Sequence, residues 1–131
     1  MKTILIIEQN ESIRENLVEW LEWDRYKIFG ASNGLSGLEL ARNFIPDLII
    51  CNIIMGGMHG HDVLFSILNT PTTSKIPFIF STTKSEKKDR TDALNLGADD
   101  YLVKPYELEA LSALASSWIK SGSKRFPLQL I

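Results

Sequence analysis

Five short apolar runs, separated by segments with helical spacing, constrain this 131-residue chain more than any other feature. A run of apolar residues without polar breaks is typical of a strand buried on both faces, as in a parallel sheet. Parallel strands need crossover connections, usually helices, so both faces of such a sheet are covered. The five runs span residues 4–7, 26–31, 48–52, 76–80 and 101–103.

The segments between these runs carry apolar residues every three or four positions, the spacing of an amphipathic helix. We expect Ser85 to cap the fourth helix, Ala93, Leu94 and Leu96 to form its apolar side, and Gly97 to end it. Strands and helices in strict alternation predict an α/β fold with a single doubly wound parallel sheet.

Length and charge narrow the class of protein. At this length, with 44% apolar residues, we expect one compact domain over residues 1–120, and 121–131 as a linker or a C-terminal tail. A formal net charge of −2 gives no reason to expect direct binding of nucleic acid or a membrane. The first apolar run is too short for a signal peptide, so we expect a cytoplasmic protein. The single cysteine, Cys51, is expected in the core.

Polar residues mark the points where four of the predicted strands end. Glu8 and Gln9 follow the first strand and Asn52 ends the third. Thr82 and Lys104 follow the fourth and fifth strands. Ligands of doubly wound sheets bind at the carboxyl ends of the strands, so we expect these five side chains to share one crevice.

Four segments, in order, carry a resemblance to a known family: residues 4–14, 46–60, 76–83 and 97–106. With them the chain resembles a response-regulator receiver domain (CheY-like) of two-component signalling over about residues 2–120. The resemblance implies a flavodoxin-like sheet of five strands in the order 2-1-3-4-5 with five helices. It also implies a phosphorelay signalling module that is not an enzyme.

In the family that the chain resembles, two acidic residues after the first strand and a phosphoacceptor aspartate after the third hold Mg²⁺. Glu8, Gln9 and Asn52 stand at those positions here, so one carboxylate remains of three. A neutral amide is a poor nucleophile and Mg²⁺ prefers anionic oxygens. We therefore predict an atypical pseudo-receiver whose degenerate phosphorylation pocket consists of Glu8, Gln9, Asn52, Thr82 and Lys104.

No cofactor is expected in this pocket. Mg²⁺ binding should be weak or lost, with Glu8 and Asn52 as the residual candidate ligands. A Glu8–Lys104 ion pair, with Asn52 hydrogen-bonded beside it, is expected to close the pocket without metal. Without the family resemblance, Glu8 and Gln9 would be interpreted as a solvated strand end and Asn52 as a turn residue.

Thr82 and Tyr101 match the two residues that form the family's switch, a hydroxyl residue and an aromatic that turns inward or outward. Both residue types are common in any parallel sheet, so only the resemblance assigns them this role. His59 and His61 are expected to be exposed loop residues rather than zinc ligands. Trp20 is expected, like Trp23, to form packing surface rather than a binding platform.

Three functions remain open on the sequence. The first is a signalling module that acts through contacts with a signalling protein or effector domain, or as a homodimer, on the face of helix four, strand five and helix five. The second is a conventional phosphorelay receiver, acted on by a histidine kinase, in which Asn52 replaces the acceptor aspartate by design. The third is a small-molecule sensor on the same scaffold, although no nucleophile with an adjacent base is evident.

Overall fold

The fold is an α/β sandwich built on five parallel strands, as the apolar runs predict. Residues 1–123 of the chain are described, from a computed structural model. The strands are β1 (Thr3–Ile7), β2 (Lys27–Ala31), β3 (Leu48–Cys51), β4 (Phe78–Thr82) and β5 (Asp100–Val103). The helices are α1 (Glu11–Trp23), α2 (Gly34–Phe44), α3 (Gly60–Leu68), α4 (Lys87–Leu96) and α5 (Leu108–Ser121).

The strand order is β2-β1-β3-β4-β5, and every neighbouring pair is parallel, which confirms the predicted fold class. The chain runs from β1 outward to β2 and then returns across β1 to β3. The switch in direction between β1 and β3 opens a crevice at their carboxyl ends. This topology places the ends of β1, β3 and β5 on the same edge of the sheet.

Two apolar clusters cover the two faces of the sheet. Along β1, Ile4 and Ile6 face the cluster formed with α1 and α5, whereas Leu5 and Ile7 face the cluster formed with α2, α3 and α4. All four side chains are fully buried. Burial on both faces explains why this strand has no polar and apolar alternation in its sequence.

The fourth helix differs from its sequence prediction. Glu86, not Ser85, precedes its first turn, and no side chain caps it. Ala93 is its only buried residue, while Leu94 and Leu96 are 36% and 51% exposed, so the predicted apolar side is wrong. The helix is mostly polar, and one alanine is all that packs on the core cluster below it.

The other expectations have mixed outcomes. Gly97 ends α4 in a left-handed conformation with φ of 115°, as predicted. Cys51 is fully buried, and burial raises the pKa of its thiol strongly, in keeping with a packing role. Trp20 packs against the α1 and α5 cluster, but Trp23 is 80% exposed and does not.

The tail prediction concerns residues 121–131, of which 124–131 lie outside the described part of the chain. Within residues 1–123, no helix is both long and apolar enough to cross a bilayer.

Gly60 supports a testable prediction about the loop after β3. A Cβ at this position would lie 2.3 Å from the Asn52 carbonyl oxygen and 2.7 Å from the Ile53 Cα. Both are backbone atoms, so Gly60→Ala should lower the free energy of unfolding by about 2 kcal/mol or more. In Gly30→Ala the added Cβ makes only ordinary contacts, at 3.5 Å or longer, so this control should change stability little. Urea unfolding of both variants measures this, and equal stabilities would contradict the prediction.

Candidate functional site

A crevice of about 330 Å³ opens at the carboxyl ends of β1, β3 and β5. Four of the five predicted pocket residues line it, whereas Thr82 does not. Thr82 is fully buried at the end of β4, and its neighbour Thr83 lines the crevice instead. The lining residues are Glu8, Gln9, Asn10, Ile13, Asn52, Ile54, Thr83 and Lys104.

A buried ion pair lies at the base of this crevice. The Lys104 Nζ is 2.6 Å from the Glu8 Oε1, and the two side chains are only 14% and 4% exposed. The second oxygen, Oε2, accepts a hydrogen bond from the Asn10 backbone N–H at 3.0 Å. The Glu8–Lys104 ion pair expected from the sequence is therefore present, and both carboxylate oxygens have partners.

Asn52 uses both ends of its amide within the protein. Its Oδ1 accepts from the backbone N–H of Ile53 at 2.9 Å. Its Nδ2 donates to the Glu8 Oε2 at 3.4 Å and to the Ile54 carbonyl at 3.3 Å. The amide therefore offers a donor where an aspartate would offer an anionic oxygen.

Gln9 serves the loop that follows β3. Its Oε1 accepts from the Gly56 backbone N–H at 3.0 Å, so the end of β1 is tied to the glycine-rich loop. A Cβ on Gly56 would lie 3.1 Å from the Gln9 Nε2, so the side chain packs closely on the backbone. The amide oxygen of Gln9 is therefore engaged in a structural hydrogen bond.

The residues of the crevice do not fit a magnesium ion. Glu8 supplies the only carboxylate among the lining residues, and Lys104 already neutralises it. Mg²⁺ is bound in proteins through carboxylates and water in near-octahedral geometry. Within residues 1–123, no group of three or more His, Cys, Asp or Glu residues could hold a metal ion.

The two residues predicted to form a switch, Thr82 and Tyr101, both hydrogen-bond to the backbone of Lys84. The Thr82 Oγ1 accepts from the Lys84 backbone N–H at 3.2 Å, and the Tyr101 hydroxyl donates to the Lys84 carbonyl at 2.8 Å. Tyr101 is 3% exposed, and burial raises the pKa of its phenol. Tyr101 is thus in an inward position, held by the loop between β4 and α4.

The two histidines are not exposed loop residues, so that expectation is wrong. The His59 Nδ1 accepts from the His61 backbone N–H at 3.3 Å and caps α3. The His61 ring packs edge-on against Phe80 at 5.5 Å between centroids, and its Nε2 is buried without a hydrogen-bond partner. Hydrophobic packing against β4 explains this burial. Within the described part of the chain, residues 1–123, no acid or cysteine forms a metal-binding group with these histidines.

Sequence reasoning missed several members of the site. Asn10 both caps α1, through the N–H of Ile13 at 2.9 Å, and donates to Glu8. An asparagine before a helical apolar pattern is a capping signal, so Asn10 was within reach of the sequence. No sequence signal identified Thr83, because it has the same residue type as Thr82; Thr82 is the last residue of β4, and Thr83 lies just beyond the strand.

The buried ion pair supports a prediction about stability. Lys104→Met should cost about 3 to 5 kcal/mol of unfolding free energy, because it leaves the Glu8 carboxylate buried and unpaired. The double variant Glu8→Gln/Lys104→Met should cost less than the sum of its single variants. Lys84 and Asp89 form a partly exposed pair at 3.9 Å, with side chains 35% and 25% exposed, so Lys84→Met should cost less than about 1 kcal/mol. Additive costs at Glu8 and Lys104 in urea unfolding would contradict the prediction.

His61 supports a prediction about pH. Burial lowers the pKa of His61, and the neighbouring His59 and Lys84 add to this, against the opposite effects of Asp62 and Asp92. The folded state therefore binds fewer protons than the unfolded state, and the stabilising contribution is lost as pH falls below the ordinary histidine value of about 6.5. Urea unfolding between about pH 7.5 and about pH 5 should show a smaller loss of stability in His61→Leu than in the original protein. Equal losses would refute this.

Comparisons with known proteins agree with the fold. The profile of the response regulator receiver domain matches residues 4–116. Protein PilH of Pseudomonas aeruginosa is 34% identical over 111 residues, which cover 85% of this chain and 92% of PilH. Transcriptional regulatory protein AfsQ1 of Streptomyces coelicolor is 32% identical over 124 residues, or 95% of this chain and 54% of AfsQ1.

A solved structure of a response regulator has the same fold. A two-component response regulator from Clostridium difficile superposes with a TM-score of 0.85 at 29% identity, covering 92% of this chain and 97% of that one. The chain spans nearly all of PilH but only about half the length of several other curated relatives that it matches. Receiver domains are non-enzymatic modules of two-component signalling. On the profile match, the relatives and the strand order together, this chain belongs to the response regulator receiver domain family.

Proposed function

We propose that this receiver domain signals through protein contacts alone, without phosphorylation at Asn52 and without Mg²⁺. The observation that carries the proposal is the contact of 2.6 Å between the Lys104 Nζ and the Glu8 Oε1, with the Asn52 amide beside it. This arrangement satisfies the charges and hydrogen bonds of the crevice from within the chain. It leaves no unpaired anion to attract a cation.

The chemistry of Asn52 supports the first half of the proposal. Phosphoryl transfer to a receiver requires a carboxylate oxygen that attacks phosphorus. The amide nitrogen of asparagine is delocalised and donates its hydrogens to Glu8 and Ile54 here, so it has no lone pair to offer. The amide oxygen is neutral and accepts from the Ile53 backbone.

Electrostatics supports the loss of the metal. With three acids and one lysine the crevice would have a net charge of −2, whereas Glu8 and Lys104 give a net charge of zero. At an effective dielectric constant of about 20, each unit pair at about 4 Å contributes about 4 kcal/mol. Two fewer carboxylates therefore remove most of the attraction for a divalent cation.

The face of α4, β5 and α5 is the proposed contact surface. Asp100 at the start of β5 joins all three elements, because it pairs with Arg90 at 3.7 Å and accepts from the Trp118 Nε1 at 2.9 Å. Arg90 also donates to the Tyr101 carbonyl at 3.0 Å. Leu94 lies one helical turn after Arg90 on α4 and is 36% exposed, so it adds apolar surface beside Arg90. The proposed partner is an effector domain or a separate signalling protein. A second copy of this chain, forming a homodimer, is one such partner.

Treatment with acetyl phosphate and Mg²⁺ tests the proposal. Intact mass spectrometry should show no added phosphoryl group on the protein, and light scattering should give the same molar mass with and without the phosphodonor. The double variant Gln9→Asp/Asn52→Asp restores the missing carboxylates and should gain one phosphoryl group in the presence of Mg²⁺. This variant serves as the positive control for the donor.

Two results would overturn the proposal. One is a stable phosphoryl adduct located at Asn52 by peptide mapping. The other is a change in oligomeric state of the original protein that requires both the phosphodonor and Mg²⁺.

A further inference from the structure

His61, in the first turn of α3, carries a titratable ring nitrogen that packing alone does not explain. Its Nε2 is buried, and it has no hydrogen-bond partner within residues 1–123. The ring packs edge-on against Phe80, at 5.5 Å between centroids. A leucine would make this apolar contact without burying an unpaired polar atom, which costs free energy. A histidine is therefore a costly choice for this contact.

Phe80 connects this histidine to the tyrosine of β5. The Phe80 ring is fully buried and meets the Tyr101 ring edge-on, at 6.4 Å between centroids. The Tyr101 hydroxyl donates to the Lys84 carbonyl at 2.8 Å, and the Thr82 Oγ1 accepts from the Lys84 N–H at 3.2 Å. A continuous series of contacts therefore runs from α3 through β4 to β5.

Charged and titratable groups from three elements face His61. His59 and Asp62 lie on its own side at the start of α3, Lys84 lies in the loop between β4 and α4, and Asp92 lies on α4. Burial is the largest effect on the pKa of His61 and lowers it, His59 and Lys84 lower it further, and the two acids raise it. The packed state therefore accommodates the neutral imidazole, whereas the protonated ring requires water at its Nε2.

We propose that protonation of His61 releases Tyr101 from its inward position, so that this receiver domain responds to acidification. A charged and hydrated His61 ring separates from Phe80, which removes the support behind the Tyr101 ring. The same charge repels the Lys84 side chain and so disturbs the loop whose carbonyl holds the Tyr101 hydroxyl. Both contacts that keep the tyrosine inward are weakened together.

Release of Tyr101 would also change the proposed contact face. Arg90 donates to the Tyr101 carbonyl at 3.0 Å and pairs with Asp100 at 3.7 Å, so movement of β5 at this point reaches α4. Only this consequence rests on the proposed function. The release itself needs neither a partner nor a phosphodonor, so this proposal and the one about Asn52 can fail independently.

NMR spectra of the full chain between about pH 7.5 and about pH 5 test the proposal. The chain has two histidines and three tyrosines, so ¹³C labels in these rings give few signals, and Tyr101→Phe assigns the signal of Tyr101. The His61 and Tyr101 signals should change with one midpoint, below about 6.5. Relaxation of the Tyr101 signal by a soluble gadolinium chelate should rise roughly twofold or more, because the exposed state becomes populated. Tyr26 packs on the other face of the sheet and is the internal reference.

Two variants separate His61 from general effects of acid. His61→Leu fills the same place without a titratable nitrogen, so its Tyr101 should stay inward down to about pH 5. His59→Asn is the matched control, because asparagine can cap α3 as His59 does, and it should respond like the original protein. Circular dichroism verifies that both variants remain folded.

Protonation of His61 with Tyr101 still inward would overturn the proposal, as would an equal response of Tyr101 in His61→Leu. A His61 that stays neutral at about pH 5 in the folded protein would overturn it too. Unfolding of the whole domain together with protonation of His61 has the same meaning, because no second folded state then exists.

Discussion

The buried contact between Glu8 and Lys104 is the interaction on which the crevice depends. A carboxylate that is 4% exposed is costly to bury unless a cation and hydrogen bonds compensate it. Lys104 supplies the charge from beyond β5, and Asn10 and Asn52 supply donors to the other oxygen. The contact joins the ends of β1 and β5, which are not neighbours in the sheet, so it fixes the loops on that edge relative to each other.

The two residues predicted to form a switch are both tied to the loop between β4 and α4. Tyr101 is turned inward by its bond to the Lys84 carbonyl, and Thr82 holds the same loop from the other side. Arg90 and Asp100 then tie α4 to β5, so the position of Tyr101 and the shape of the contact face are set together. Under the proposed function, these contacts would let the domain present one defined face without modification of the crevice.

The strands and their order could be predicted from the sequence, whereas the packing of surface helices could not. The four fully buried residues of β1 are apolar because both of their faces are packed, and such a run has few alternatives to a parallel strand. Strand ends then placed Glu8, Asn52 and Lys104 on one edge. Leu94 and Leu96 show the limit, because their apolar spacing could not reveal that α4 packs through one alanine.

His61 shows a second limit. Periodicity says which residues share a helix face, but whether a histidine at the start of α3 meets water or Phe80 depends on how two elements pack together. Thr82 and Thr83 differ in the same way, because Thr82 is buried as the last residue of β4, whereas Thr83 lies beyond the strand and lines the crevice.

The Glu8–Lys104 contact also bears on how long a signal from this domain would last. Water hydrolyses an acyl phosphate, so hydrolysis limits how long a phosphorylated receiver stays in its active state. An ion pair with a hydrogen-bonded amide beside it is not hydrolysed, so no such reaction limits the lifetime of a receiver closed in this way. Under the proposed function, the signal would persist as long as the polypeptide itself, and synthesis and degradation of the chain would set its beginning and its end.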